Sequence, residues 1–140
     1  MQPAVTELSA EPQHPSGAVW EGGPTLLGYD LAPSPEGIEL ALYWRAGPRP
    51  EAQLARFVHA VGSRGEMVAQ ADGAPENGGI PFTAWRPGEI VTDRVRLAGN
   101  AGETGMSYRV GWYDPRTGVR APVRDAGGVR LPDGYVTLRP

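Results

Sequence analysis

The chain has 140 residues and a formal net charge of −3, so it is the size of one domain and lacks the basic excess that attracts nucleic acid or an anionic membrane. It contains neither Cys nor Lys, which excludes thiol and lysine-nucleophile catalysis, disulfide bonds and Cys-ligated zinc. No apolar run approaches the roughly 18 residues of a membrane-spanning helix, so we expect neither direct membrane insertion nor a nucleic-acid partner.

The composition favours strands over helices. With 20 Gly and 15 Pro, no window of about a dozen residues both avoids these two residue types and shows helical periodicity. Residues 1–17 are rich in Pro, Glu, Gln and Ser and are predicted to form a flexible N-terminal arm or linker. Residues 18–140 are predicted to form a single β-sandwich domain.

Alternating apolar and polar residues predict short strands along the rest of the chain. The clearest strand runs over residues 37–46, where every second residue from Ile38 to Trp44 is apolar. Gly28, within the second strand of the domain, predicts a bulge. Strands are predicted at residues 18–21, 25–32, 37–46, 53–63, 67–71, 90–97, 106–114, 119–123 and 135–139.

Two connections indicate how these strands are arranged. The connection at residues 72–89 is long and rich in Pro and Gly, which predicts a crossing from one sheet to the other. The tight turn at residues 114–118 predicts that residues 119–123 form a hairpin with residues 106–114. The predicted fold is therefore all-β: a two-sheet antiparallel β-sandwich, immunoglobulin-like or jelly-roll, with eight or nine strands.

Two ionisable residues fall on predicted apolar strand faces. Asp93 alternates with Val91 and Val95, and His59 shares a strand face with Phe57. Because an unpartnered carboxylate or imidazole is costly to bury, we expect the two to pair with each other or with an Arg or Trp donor. The Ser residues lie in the tail, in turns or at a strand start, which does not support a Ser-His-Asp triad. We therefore predict that Asp93 and His59 are structural polar anchors and that there are no catalytic residues.

The candidate ligand-binding residues lie in the long connection and at the end of the strand before it. Trp85 stands beside Arg86, and its ring either plugs one end of the sandwich or stacks on a ligand such as a sugar. Asp72 and Gln70 could add hydrogen bonds to ligand hydroxyl groups. Core packing is the alternative interpretation for every Trp in the chain.

Metal binding has weak support in the sequence. Asp72, Glu76 and Asn77 offer oxygen ligands of the type that calcium prefers, but their spacing matches no loop motif, and a solvated turn is the favoured interpretation. His14 and His59 are the two histidines, and His14 lies in the predicted arm. We expect neither a metal nor a cofactor.

Several segments together resemble a known module. They are FVH, AQADG, AWRPGE and GWYDPRTG, within a similarity that spans about residues 25–138. The module is the C-terminal β-sandwich of bacterial polytopic membrane proteins, many of which look like integral-membrane glycosyltransferases of the dolichyl-phosphate-mannose type. The resemblance implies an all-β module that lies outside the membrane and has no catalytic role.

These observations lead to three hypotheses about function. The first, which the resemblance implies, is a non-catalytic extracytoplasmic accessory or interaction module, associated through a parent chain with a membrane glycosyltransferase-like region or its glycan. The second is an independent carbohydrate-binding module in which Trp85 contacts the sugar. The third is an enzyme, which requires Asp93 or His59 to be open to solvent in a pocket. We favour the first hypothesis and predict no enzymatic activity.

Overall fold

The computed structural model describes residues 7–8, 10–47, 54–73 and 85–140 of the chain. Nine β-strands lie within these residues. Their bounds are β1 (His14–Trp20), β2 (Thr25–Ser34), β3 (Gly37–Arg45), β4 (Ala55–Val61), β5 (Met67–Gly73), β6 (Ile90–Ala98), β7 (Ser107–Tyr113), β8 (Val123–Arg124) and β9 (Tyr135–Leu138).

The strands form two antiparallel sheets. The five-stranded sheet has the order β6-β3-β2-β1-β8, and the four-stranded sheet has the order β5-β4-β7-β9. Side chains from both sheets meet in one apolar core, so the prediction of an all-β antiparallel sandwich with eight or nine strands is confirmed. β1, β2 and β3 are neighbours in one sheet, whereas the third strand of an immunoglobulin constant domain belongs to the opposite sheet.

The alternation of β3 sets the inner face of the five-stranded sheet. Every second residue from Ile38 to Trp44 is buried, with 5% or less of each residue exposed. β6 pairs with β3 in continuous register over its full length. The pairing of β2 with β3 shifts between Leu26 and Gly28, where the sequence predicts a bulge.

Four Trp side chains form a continuous contact through the core. The Trp44 ring lies edge-to-face on Trp20 and on Trp112, with centroids 5.4 and 5.2 Å away. Trp85 packs edge-to-face on Trp112 at 5.8 Å. Such pairs add about 0.5–1.5 kcal/mol each beyond the burial of their area. Because Trp44 belongs to one sheet and Trp112 to the other, this Trp cluster stabilises the packing of the two sheets.

β4 presents to the core the face opposite to the one that the sequence predicts. Val58 and Ala60 are fully buried in the core cluster, whereas Phe57 and His59 lie on the outer face of the four-stranded sheet. The prediction that His59 lies on the core face is therefore wrong. Both faces of ARFVHAV carry apolar residues, so the alternation alone does not determine which face is inside.

Two strand positions differ from the predictions. β1 begins at His14, inside the predicted arm, and the preceding Gln13 is tied to β2, since its side-chain Oε1 accepts a hydrogen bond from Leu31 N at 3.0 Å. Residues 119–123 pair with β7 only through a bridge between Tyr113 and Arg120. The chain then crosses to the five-stranded sheet, where β8 pairs with β1. Residues 1–6 and 9 of the predicted arm lie outside the described residues.

Within the described residues, helical structure is restricted to short turns. Two 3₁₀ turns lie at Gly99–Gly102 and Pro132–Gly134. In the described ranges, no helix has the length and apolar character needed to cross a membrane.

Candidate functional site

A buried charged group joins the two sheets. Asp93 of β6 is fully buried and accepts hydrogen bonds from Arg56 Nε at 2.7 Å, from Arg56 Nη2 at 3.0 Å and from Trp44 Nε1 at 3.2 Å. Arg56 of β4 also donates to the Ala71 carbonyl of β5 at 3.3 Å. A guanidinium that contacts both carboxylate oxygens is the strong form of this ion pair. The Arg56–Asp93–Trp44 group therefore connects two strands of each sheet.

Burial keeps this group away from any ligand. Asp93 lies where the alternation of β6 places it, and its donors are of the Arg and Trp types that the sequence analysis expects. Arg56 is only 3% exposed, so removal of Asp93 would leave a positive charge buried without its partner. The geometry supports a structural role for the group.

Polar side chains that reach solvent gather on the outer face of the four-stranded sheet. His59 of β4 lies opposite Gln70 of β5 and Arg109 of β7 in the strand register. His59 Nε2 is 3.9 Å from Asp72 Oδ1, and its ring centroid is 5.0 Å from that of Phe57. This face thus brings His59 together with two of the predicted ligand-binding residues, Gln70 and Asp72.

The surroundings of His59 favour its neutral form. Burial lowers the pKa of His59 below its usual value of 6.5; the Asp72 carboxylate opposes this shift, and the positive charges of Arg120 and Arg109 add to it. The imidazole is therefore uncharged at neutral pH. The positive charge of this face comes from arginine side chains.

A cavity of 670 Å³ lies on the same face. We call it the basic cavity, and its walls include Arg109, Arg120, Arg130, Leu131, Asp133 and Tyr135. The lining thus contains three arginines and one acidic residue, although the net charge of the whole chain is negative. The volume falls in the range of about 300–1,000 Å³ that is typical of small-molecule sites.

Two glycines make room for the wall of the basic cavity. Gly111 of β7 lies opposite Phe57, and a Cβ at this position would collide with the Phe57 ring and with the Gly134 carbonyl. A Cβ at Gly134, where φ is +71°, would lie 2.8 Å from Arg120 Cβ. As a result the Phe57 ring fits against β7, and Arg120 stacks on it with Cζ 4.5 Å from the ring centroid.

Two of the cavity arginines are held in place by contacts within the protein. Arg109 Cζ lies 4.9 Å from the centroid of the Tyr135 ring. Arg120 Nη1 donates a hydrogen bond to the Asp133 carbonyl at 3.1 Å. Asp133 has a φ of 63°, which is uncommon for a residue other than Gly, and lies in the 3₁₀ turn before β9. These contacts orient the two guanidinium groups before any ligand binds.

Several surface arginines, Arg45, Arg64, Arg124 and Arg139 as well as the three of the cavity, have no carboxylate at ion-pair distance within the described residues, but the cavity arginines line one common site. Among the described residues, no carboxylate oxygen lies within the 4.0 Å ion-pair distance of any of the three cavity guanidiniums. By contrast, Arg94 and Arg96 on the five-stranded sheet both pair with Glu39, at 3.3 and 3.0 Å. Guanidiniums that converge without acidic partners create a positive potential, which attracts anions.

The remaining predicted ligand-binding residues lie elsewhere. Trp85 is 3% exposed and packs on Trp112, so its ring closes the core and cannot stack on a sugar in this conformation. Arg86 is exposed and pairs with Glu89 at 3.5 Å. The predicted set Trp85, Arg86, Asp72 and Gln70 therefore does not form one site.

The candidate metal ligands fall only in part within the described residues. Glu76 and Asn77 lie outside the described residues. His14 stacks on Tyr29 in the five-stranded sheet, with 4.8 Å between ring centroids, whereas His59 lies in the four-stranded sheet. The part of the chain that the structure describes holds no group of three or more His, Asp or Glu side chains that could bind a metal ion.

Comparison with known proteins gives no information about this site, so its interpretation rests on the chemistry of its residues. No family model, curated protein or solved structure matches this chain. The resemblance to modules of membrane glycosyltransferase-like proteins stays a prediction.

The basic cavity was not predicted from the sequence. The outward direction of Arg109 follows from the alternation of β7, in which Tyr108 and Val110 face the core, so this residue could have been found. Arg120 follows the turn that predicts a return to β7, whereas no local pattern indicates that Arg130, which bridges to Arg124 of β8, lines the same cavity.

Proposed function

We propose that this chain is a non-catalytic binding domain whose binding surface is the outer face of the four-stranded sheet. The observation that carries this proposal is the basic cavity, where three arginines and Tyr135 line a volume of 670 Å³. The inner sheet faces are filled by the Trp cluster and the Arg56–Asp93 pair. A ligand would therefore find its polar partners on the outer face and not between the sheets.

The same geometry supports a non-catalytic role. Asp93 is enclosed in the core, which keeps it from contact with a substrate. His59 is partly exposed, but the described groups around it are Phe57, Gln70, Asp72 and two arginines. None of these is a hydroxyl or thiol that a general base could activate as a nucleophile.

A role beside a membrane glycosyltransferase-like protein extends this proposal. It is motivated by the resemblance of the AQADG, AWRPGE and GWYDPRTG segments, which also implies an extracytoplasmic location. We expect the tagged chain to co-purify with a membrane glycosyltransferase-like protein from the same genome. Failure of the two to associate would contradict the accessory role. It would not contradict ligand binding at the outer face, which the glycan array below tests separately.

The hypothesis of carbohydrate binding is kept, but with a different contact surface from the one around Trp85. Stacking on Trp85 loses support because that ring is buried. A glycan could instead contact the outer face, where Gln70, Asp72 and the basic cavity offer hydrogen-bonding groups.

A glycan array that carries neutral and acidic sugars tests the proposal. The wild-type chain should bind at least one class of glycan, and the Tyr135→Ala variant should lose binding because it removes a cavity wall and the ring beneath Arg109. Tyr43→Ala is the matched control, since Tyr43 donates to Asp30 on the five-stranded sheet at 2.6 Å. No binding by the wild-type chain, or equal loss in both variants when both remain folded by circular dichroism, would contradict the proposal.

A further inference from the structure

We propose that the basic cavity binds an oxyanion, a phosphate or a carboxylate, that is carried by a ring-sized organic molecule such as an acidic sugar. This inference rests on the proposed function, because it assigns a ligand class to the same sheet face. Arg109, Arg120 and Arg130 are the residues that contact the oxyanion.

The charge balance of the cavity favours an anion. Its lining contains three arginines and one acidic residue, Asp133. Within the described residues, the cavity arginines have no carboxylate partner at ion-pair distance, whereas Arg94, Arg96 and Arg116 each have one. Positive charge is therefore gathered without an acidic counter-charge at ion-pair distance in the basic cavity, although the chain as a whole is acidic.

The arrangement of the guanidiniums suits a planar oxyanion. A guanidinium that stacks on an aromatic ring keeps its N–H groups free at the edge, where they can donate two parallel hydrogen bonds to a carboxylate or phosphate. Arg109 Cζ lies over the Tyr135 ring, and Arg120 Cζ lies over the Phe57 ring while its Nη1 donates to the Asp133 carbonyl. Because an arginine covers one face of each of these two rings, that face cannot stack on a neutral sugar.

The size and walls of the cavity indicate an organic body on the ligand. A volume of 670 Å³ is larger than an inorganic anion needs, and Leu131 together with two prolines gives the cavity an apolar portion. The charged and apolar parts of one ligand can thus be bound side by side. The oxyanion supplies the charge and the ring fills the remaining space.

Isothermal titration at low ionic strength can test the ligand class with four probes: glucose 1-phosphate, glucuronate, glucose and inorganic phosphate. At least one of the two acidic sugars should bind at least about tenfold more tightly than glucose, which lacks the charge for charge-assisted hydrogen bonds, and than inorganic phosphate, which lacks the ring. Added salt should weaken this binding. The comparison between glucose 1-phosphate and glucuronate identifies which oxyanion the cavity prefers.

Substitution of two arginines assigns the binding to the cavity. Arg109→Gln combined with Arg130→Gln should weaken binding of the preferred acidic sugar at least about tenfold. Arg120 is left in place because it also contacts Phe57 and the Asp133 carbonyl. Arg94→Gln combined with Arg96→Gln removes the same charge from the opposite sheet and should change affinity less than about twofold.

Four results would overturn the inference. Glucose binding as tightly as the acidic sugars, with loss in Tyr135→Ala, would contradict the oxyanion but leave the proposed binding face intact. Inorganic phosphate binding as tightly as the acidic sugars would contradict the organic body. Absence of acidic-sugar binding, or equal weakening in the two arginine double variants, would contradict the basic cavity as an oxyanion site.

Discussion

Asp93 is the residue whose loss should destabilise the protein most directly. Among the described residues, its carboxylate accepts hydrogen bonds from Trp44 and twice from Arg56, which is only 3% exposed. Asp93→Ala and Asp93→Asn should both lower the free energy of unfolding by about 3–5 kcal/mol, since each leaves the guanidinium buried without its counter-charge. Urea unfolding at neutral pH measures the effect.

Two further variants show whether the cost comes from the unpaired charge. Arg56→Met combined with Asp93→Leu removes both charges and should cost clearly less than the sum of the single substitutions. Glu39→Gln, whose arginine partners are well exposed, should cost less than about 1 kcal/mol. Near-neutral effects of both Asp93 substitutions would contradict the structural role of the buried group.

His59 should make stability depend on pH in the acidic range. Because burial lowers its pKa in the folded protein below the usual 6.5, the folded state disfavours the protonated ring. This contribution to stability is present above about pH 6.5 and is lost as the pH falls through the folded pKa. His59→Gln should therefore flatten the decline of unfolding free energy below that pH.

An NMR titration of the His59 ring measures the shift itself. The midpoint should lie below 6.5, and Asp72→Asn should lower it further because the carboxylate opposes the shift. A wild-type midpoint at or above 6.5 would show that the surrounding arginines and burial do not control this group.

At the scale of single residues, sequence alone predicted one partner of the buried pair but not the other. The position of Asp93 followed from alternation with Val91 and Val95, and its need for a donor followed from the cost of burial. Arg56 escaped prediction because Phe57 and His59 made the wrong face of β4 look like the core face. The choice between two apolar faces depends on packing against the other sheet, which is not a local property.

Within the elements, Gly111 of β7 is predicted to control the shape of the binding face. Gly111→Ala should lower the free energy of unfolding by about 1–3 kcal/mol, because the added methyl collides with the Phe57 ring and the Gly134 carbonyl. Thermal unfolding compares it with Gly127→Ala, where the nearest atom to the new Cβ is Asp125 Oδ1 at 3.4 Å. The control should change stability by less than about 0.5 kcal/mol. Equal melting temperatures of Gly111→Ala and the control would contradict the close packing of Phe57 on β7.

Strand existence was easier to predict than strand partnership. β3 and β7 were predicted with their inner faces correct, since each alternates cleanly and contains a buried Trp. The segment after the turn at residues 114–118 was predicted as a hairpin strand, yet β8 pairs with β1 in the other sheet. The residues of a turn determine how the chain reverses direction, but not over how many residues the two flanking segments pair.

For the whole molecule, the two sheets serve different purposes in our account. The interface between them holds the Trp cluster and the Arg56–Asp93–Trp44 group, and these explain stability. The outer face of the four-stranded sheet holds the basic cavity, which explains the proposed binding. The sandwich was predictable from composition and alternation, whereas the cavity was not, because its arginines come from β7 and two separate connections.

The most direct test of the central claim, ligand binding on the outer face of the four-stranded sheet, is an NMR titration of the ¹⁵N-labelled chain with the tighter-binding of glucose 1-phosphate and glucuronate. The account predicts that the largest shifts occur at backbone amides of β7, β9 and the turn before β9, and at the side-chain Nε–H groups of Arg109, Arg120 and Arg130. Shifts that instead concentrate on the outer face of β3 and β6, or no shifts at saturating sugar, would contradict it.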